Sequence, residues 1–219
     1  MKKILQKLAK LFNKYEPHRT RNTRKPRGQS LVEFAIAFPI VIMLFAGVVE
    51  FGFILNYYLS LLDATRESAR FFSNLDPFAD ASFYANAAAT VKDALEPRTD
   101  NDTTRKILLD SANDDVIITV YSVCGNKVVS FPSAGGYHMY NNAASTFTNT
   151  SMLASRLSGA PNAGILLVEV VYNYHQVLAL PWITAWLPNP TPLRAYTIMP
   201  IPAAEPPLAA PAPVVTCPP

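Results

Sequence analysis

The chain has 219 residues, half of them hydrophobic, and a formal net charge of +3. That charge is unevenly placed: Met1 to Arg27 carries ten Lys/Arg against the single acid Glu16, whereas from Asp63 onward nine basic residues stand against thirteen acidic ones. A basic run of this kind abutting an apolar stretch argues against a nucleic-acid partner and for an anionic lipid surface, where each basic residue contributes about 1 kcal/mol.

Met1 to Tyr15 reads as a basic amphipathic helix, with Ile4, Leu5, Leu8, Leu11, Phe12 and Tyr15 at helical spacing, and Pro17 ends it. His18 to Arg27 is a polar, basic linker. From Leu31 to Leu62 the only charged residues are Glu33 and Glu50. Roughly 20 apolar residues cross a bilayer as a helix. A span starting near Leu31 therefore leaves at Glu50 or Phe51, where the Glu50 carboxylate is expected to reach water. The run is too long for the apolar core of a secretory signal peptide. Glu33 lies just inside the near interface, and a carboxylate there calls for a cationic partner. Pro39 lacks an N–H and weakens the helix around it. Ala46, Gly47 and Gly52 are small enough for close helix packing. Under the positive-inside rule the basic end stays in the cytoplasm and the remainder is exported.

The helix is expected to continue from Ser30 to Ser73, with its buried stripe on Phe51, Ile54, Leu55, Tyr58, Leu62, Thr65, Ala69 and Phe72. Asp63 with Arg66, and Glu67 with Arg70, are i, i+3 opposite-charge pairs. Asn74 to Pro77 breaks the helix, and Phe78 to Leu95 is a second one, closed by Pro97. The polar stretch from Arg98, with Asp100, Asp102, Asp110, Asp114 and Asp115, lacks the glycine and closing glutamate of a calcium loop and reads as solvated.

Asp115–Cys124 is a β-branched strand, Gly125-Asn126 a tight turn, and Lys127–Phe131 the returning strand. Pro132 to Gly164 is a Ser/Asn/Thr-rich insert that includes a short helix at Ser151–Leu157. Ile165–Gln176 is the most strongly patterned strand, Leu178–Leu193 a Pro- and Trp-bearing crossover, and Ala195–Ile201 the last strand. This is an α+β arrangement: a long membrane and stalk helix, then a roughly four-stranded antiparallel sheet. The organisation is a basic leader at 1–28, the membrane and stalk helix at 29–74, an exported domain at 75–201, and a Pro-rich tail at 202–219. Cys124 and Cys217 are the candidate pair of an intrachain disulfide, with intermolecular bonding and free thiols as alternatives.

The three histidines, His18, His138 and His175, are scattered, and none has a metal-ligand neighbour at a useful spacing. There is no phosphate loop, no nucleophile elbow and no CxxC. No catalytic residue, metal or cofactor is expected, and the chain is read as a non-enzyme.

Gly28 followed by Gln-Ser-Leu-Val-Glu-Phe puts Glu33 at the fifth position after the glycine. This resembles the processing site of type IV pilin-like precursors, cut after the glycine by a membrane aspartyl peptidase. The longer segment Arg27 to Arg70 resembles the TadE-like pseudopilins of tight-adherence (Tad/Flp) pilus systems. The residues that carry the likeness are Gly28, Val32-Glu33-Phe34-Ala35, Pro39, Val49-Glu50-Phe51-Gly52 and Ala64 to Arg70. It covers about a fifth of the chain; beyond Arg70 only the coarse pattern matches. The resemblance implies cleavage between Gly28 and Gln29, a pilin-like fold, and an assembly and register role for Glu33, Phe34 and Pro39. It implies a minor pseudopilin of a Tad-type pilus, partnered by a prepilin peptidase, platform proteins and other pilin-like subunits. Two rival readings stand beside it: an uncleaved single-pass adhesin or envelope-binding module, and a membrane-anchored hydrolase.

Overall fold

A computed structural model describes residues 28–97, 107–124, 127–132, 135–149 and 162–205. The leader helix, the Ser151–Leu157 helix, the Gly125-Asn126 turn and residues 206–219 of the Pro-rich tail, Cys217 included, lie outside the described residues, whereas Pro202–Ala204 form a short 3-10 helix. The chain divides into two compact units, at Leu44/Phe45.

Helix α1 runs from Gln29 to Phe72 and passes through Pro39 without interruption. In the first unit, Ser30 to Leu44 present exposed side chains throughout. Residues 30–72 form a helix long and apolar enough to cross a membrane.

In the second unit, α1 from Phe45 onward packs with α2 (Phe83–Leu95) on one face of an antiparallel sheet. The strands are β1 (Asp115–Cys124), β2 (Lys127–Phe131), β3 (Tyr137–His138), β4 (Asn162–Tyr174) and β5 (Thr191–Pro200), and a four-residue helix α3 (Pro181–Thr184) lies between β4 and β5. The sheet order is β2-β1-β4-β5, with the two-residue β3 also paired to β1. The α+β class stands, with this short fifth strand added.

Alternation sets the two faces of the sheet. Val116, Ile118 and Val120 oppose Val170, Val168 and Leu166 on the helix side, where Leu61, Ala64, Ala69 and Phe72 of α1 and Ala87, Ala88 and Val91 of α2 complete the main core. The Thr65 and Thr197 hydroxyls meet at 2.8 Å, and Ser68 Oγ donates to the Ala87 carbonyl at 2.9 Å. Tyr121, Val123, Ile165 and Leu167 point the other way, and Phe147 of the 139–149 segment covers them.

Two expectations are corrected here. The buried stripe of α1 is rotated: Ala46, Glu50, Leu61, Ala64, Thr65, Ser68, Ala69 and Phe72 are buried, with Ile54 and Tyr57 half-buried, while Phe51, Leu55 and Tyr58 are exposed. Leu61 and Phe72 are packed inside together with small residues, and Glu50 is taken in by its hydrogen bonds, while Phe51, Leu55 and Tyr58 stay outside. Second, β5 begins at Thr191 rather than Ala195. Among the described residues it pairs only with β4, and an edge strand tolerates Pro192 because no further strand needs its missing N–H.

The Asp63–Arg66 pair forms at 3.7 Å between exposed side chains; among the described residues no ion pair joins Glu67 and Arg70. Helix α2 starts at Phe83 rather than Phe78 because Asp76 and Asp80 side chains first capture the Phe78 and Ser82 N–H groups in local turns.

Candidate functional site

Gly28 sits just before α1, exposed, and its carbonyl accepts the Val32 N–H at 3.2 Å, the first bond of the helical ladder. A Cβ at Gly28 would meet nothing within 4 Å. The fold places no demand for glycine there, so a requirement for it would come from outside the chain. Glu33 and Pro39 are exposed on the same helix, and Phe34, also exposed, lies against Phe38 with the rings tilted and their centroids 5.2 Å apart. The first turns of α1 thus hold together, on one accessible helix, every processing and register residue named from the sequence whose side chain is described.

Glu50 behaves differently from its expectation. Instead of reaching water, its side chain is buried. Tyr174 Oη donates to Oε1 at 2.7 Å, the Val177 N–H to Oε1 at 3.0 Å and the Leu178 N–H to Oε2 at 2.9 Å. The carboxylate thereby fixes the middle of α1 to the end of β4 and the segment after it. Hydrogen bonds to an ionised acceptor are roughly twice as strong as neutral ones. Burial, then the bond to Glu50, drives the Tyr174 phenol well above its ordinary pKa, so it stays protonated and donates throughout the physiological range. The signal was present in the sequence: Glu50 is in step with Ile54, Tyr57, Leu61, Ala64 and Ser68, the i, i+3/i+4 rhythm of the face that packs.

A second group of acids pins the segment after β3 to the outer face of the sheet. Asp115, buried at the start of β1, accepts from His138 Nδ1 at 2.9 Å and from the N–H groups of Tyr140, Asn142 and Ala143 at 3.0–3.3 Å. Burial pushes its carboxyl up, but the bonds from His138 and the backbone outweigh it and hold the pKa below the usual carboxylate value. Asp114 accepts from the Asp110 and Asn173 N–H groups at 2.8 and 2.7 Å. Glu169 takes the Ser145 hydroxyl and the Thr146 N–H, and Arg194 Nη1 donates to the Ala144 carbonyl and to Thr146 Oγ1. The acidic stretch read as solvated therefore ends in two buried carboxylates, Asp114 and Asp115. Asp100 and Asp102 lie outside the described residues. His138, read as isolated, has a carboxylate partner 23 positions away; no local spacing could have revealed it. His175 is exposed, just past β4.

These acids are structural in their bonding: each is saturated by backbone or side-chain donors. A concavity of about 590 Å³ lies beside the pinned segment, lined by His138, Asn141, Asn142, Ser145 and Asn149 among others. Among the described residues no three His, Cys, Asp or Glu side chains converge as a metal site would need.

A family model described as "TadE-like protein" matches residues 28–70. The match spans the same segment as the resemblance drawn from Gly28, Glu33, Glu50 and the closing Ala64–Arg70 run. No curated protein and no solved structure matches the chain.

Proposed function

We propose that this chain, whose residues 28–70 match the TadE-like family, is a minor pseudopilin acting in assembly of a Tad/Flp-type pilus. The observation that carries the reading is the family match itself, which begins at Gly28 and runs through the membrane-competent part of α1. The precursor sits in the cytoplasmic membrane with its basic end inside and its α+β domain outside, following the charge asymmetry of the sequence. A prepilin peptidase cuts between Gly28 and Gln29. The exposure of Gly28 just before α1 supports this, since a protease must reach the backbone at the bond.

Cleavage converts the Gln29 nitrogen into an ammonium one helical turn from Glu33. That cation, from the same chain or from an incoming subunit, offsets the cost of the carboxylate at the membrane interface and sets axial register. Phe34 and Pro39 lie on the same exposed helix, where neighbouring pilin-like subunits and the platform proteins would pack. A priming, capping or adapting role fits a chain of 219 residues better than the role of a major Flp subunit, which is much smaller.

The test is the intact mass and N-terminal sequence of the protein recovered from membranes of its own cells, beside a Gly28→Ala variant. A wild type beginning at Gln29 and a variant keeping the original N-terminus support the reading. If both keep it while the peptidase processes another substrate, cleavage is wrong. An uncleaved anchored module binding through the Asn-lined concavity then leads.

A further inference from the structure

Between His175 and Arg194 lie eighteen consecutive residues without a charge, QVLALPWITAWLPNPTPL. A surface segment of that length normally carries charge, and this one is attached at a particular place. Its first N–H groups, Val177 and Leu178, are the donors to Glu50. Glu50 is the residue at which a span begun at Leu31 has used ~30 Å of helix rise and reaches the edge of the hydrocarbon layer. Around Glu50 on the second unit's part of α1, Phe45, Val48 and Phe51 are each more than 60% exposed. The uncharged segment is therefore rooted beside apolar helix surface.

Its own surface matches. Trp186 is 89% exposed, the highest value among the exposed large hydrophobic side chains, and Val177 is 53% exposed. The segment also bonds part of its backbone internally. Gln176 Nε2 donates to the Leu187 and Pro188 carbonyls, and its N–H donates to Asn189 Oδ1. The N–H groups of Ile183, Thr184, Ala185, Trp186 and Leu187 all bond within the α3 turn, and four prolines have no N–H to satisfy. Internal bonds of this kind lower the cost of leaving bulk water. Tryptophan favours the headgroup level, where its apolar ring and its indole N–H are both accommodated.

We propose that residues 176–190 form a membrane-interface foot, seated in the headgroup region of the leaflet on the domain's side, with Trp186 as its anchor. This rests on the membrane-spanning reading of α1. The foot and Glu50 together fix the depth at which the domain rides on the bilayer.

The chain contains two tryptophans, Trp182 and Trp186, and Trp186 is exposed enough that Trp186→Phe leaves the fold intact. Full-length wild type and Trp186→Phe are reconstituted into phosphatidylethanolamine/phosphatidylglycerol vesicles, with and without phospholipids brominated along their acyl chains. Tryptophan emission is then read against bromolipid and against aqueous acrylamide. The expected result is bromolipid quenching of the wild type, strongest with bromines nearest the headgroup, together with shielding from acrylamide, and a clearly smaller bromolipid-quenched component in Trp186→Phe, whose remaining emission comes from the half-buried Trp182. Full acrylamide access at Trp186 overturns the proposal. So does shielding without bromolipid quenching, which would mark a protein contact instead. Alkaline carbonate extraction separates the two levels. A chain released by carbonate refutes the membrane reading and this inference with it; a retained chain with unquenched Trp186 refutes the foot alone.

Discussion

Replacing Tyr174 by Phe removes one hydroxyl from the buried cluster and leaves the ring in place against Tyr57, whose centroid lies 5.0 Å away. The lost bond is the 2.7 Å donation to Glu50. A hydrogen bond to a charged group contributes about 1.5–3 kcal/mol, and at ~2–4 °C per kcal/mol for a domain of this size the unfolding midpoint should fall by about 3–12 °C. Glu50→Gln goes further. The amide oxygen can still accept from Tyr174 and Val177, but the NH₂ group then faces the Leu178 N–H, donor against donor. One buried N–H is left without an acceptor and the charge is gone from the other two bonds, for a loss of about 3–5 kcal/mol. The assay is thermal unfolding of the detergent-solubilised full chain, followed by near-ultraviolet circular dichroism, with proteolysis of the segment after β4 as a local probe. Tyr174→Phe should lower the midpoint and Glu50→Gln should lower it more, with earlier cleavage near Val177. If both variants unfold with the wild type, Glu50 does not hold the helix to the sheet and the argument fails.

Three further outcomes follow from the same geometry. Asp115 has a folded-state pKa below its unfolded value of ~3.9, so its stabilisation is complete above that value and is lost as the pH falls through the folded one. The amides of Tyr140, Asn142 and Ala143 should then lose hydrogen-exchange protection in acid, and Asp115→Asn should lose it already at neutral pH; unchanged protection in both cases contradicts the pinning role. Gly164→Ala would drive a Cβ into the Ile201 carbonyl and the backbone of Ala204 and Glu205, destabilising by roughly 1–3 kcal/mol, which a lowered denaturation midpoint would report. Gly28→Ala meets nothing, so its midpoint should match the wild type even if its processing does not; a destabilised Gly28→Ala would mean the glycine serves the fold.

The long helix was legible because hydropathy alone dictates it, and β1 and β2 because β-branched alternation flanks a two-residue turn. What escaped was set by distant partners. Phe51, Leu55 and Tyr58 were assigned to the packing stripe because an apolar residue is expected inside, yet Glu50 and Ser68 are buried in their place, beside Thr65, which the stripe did include. Those polar residues find bonds there that only the folded domain supplies: the Tyr174 and Thr197 hydroxyls of the sheet and the Ala87 carbonyl of α2. Asp114, Asp115 and Glu169 escaped for the same reason. An acid in a sequence reads as solvated until the donors that replace water are known, and here they are backbone N–H groups from elsewhere in the chain. Pro192 misplaced the start of β5 because edge position is a property of topology, not of the residue.

The bond between Glu50 and Tyr174 joins positions 124 residues apart, and that distance is also an interval of time. Synthesis at ~5–20 residues per second puts Tyr174 on the order of ten seconds behind Glu50. For that interval the carboxylate is unsatisfied, and Leu61, Ala64, Ala69 and Phe72 wait for α2, β1 and β4 to follow in turn. The helix cannot template its own domain; it must be held while the sheet is delivered to it. A chain stalled or truncated before Tyr174 carries an uncovered core face and a carboxylate lacking all three of its donors, a surface that quality-control proteases and chaperones would find first.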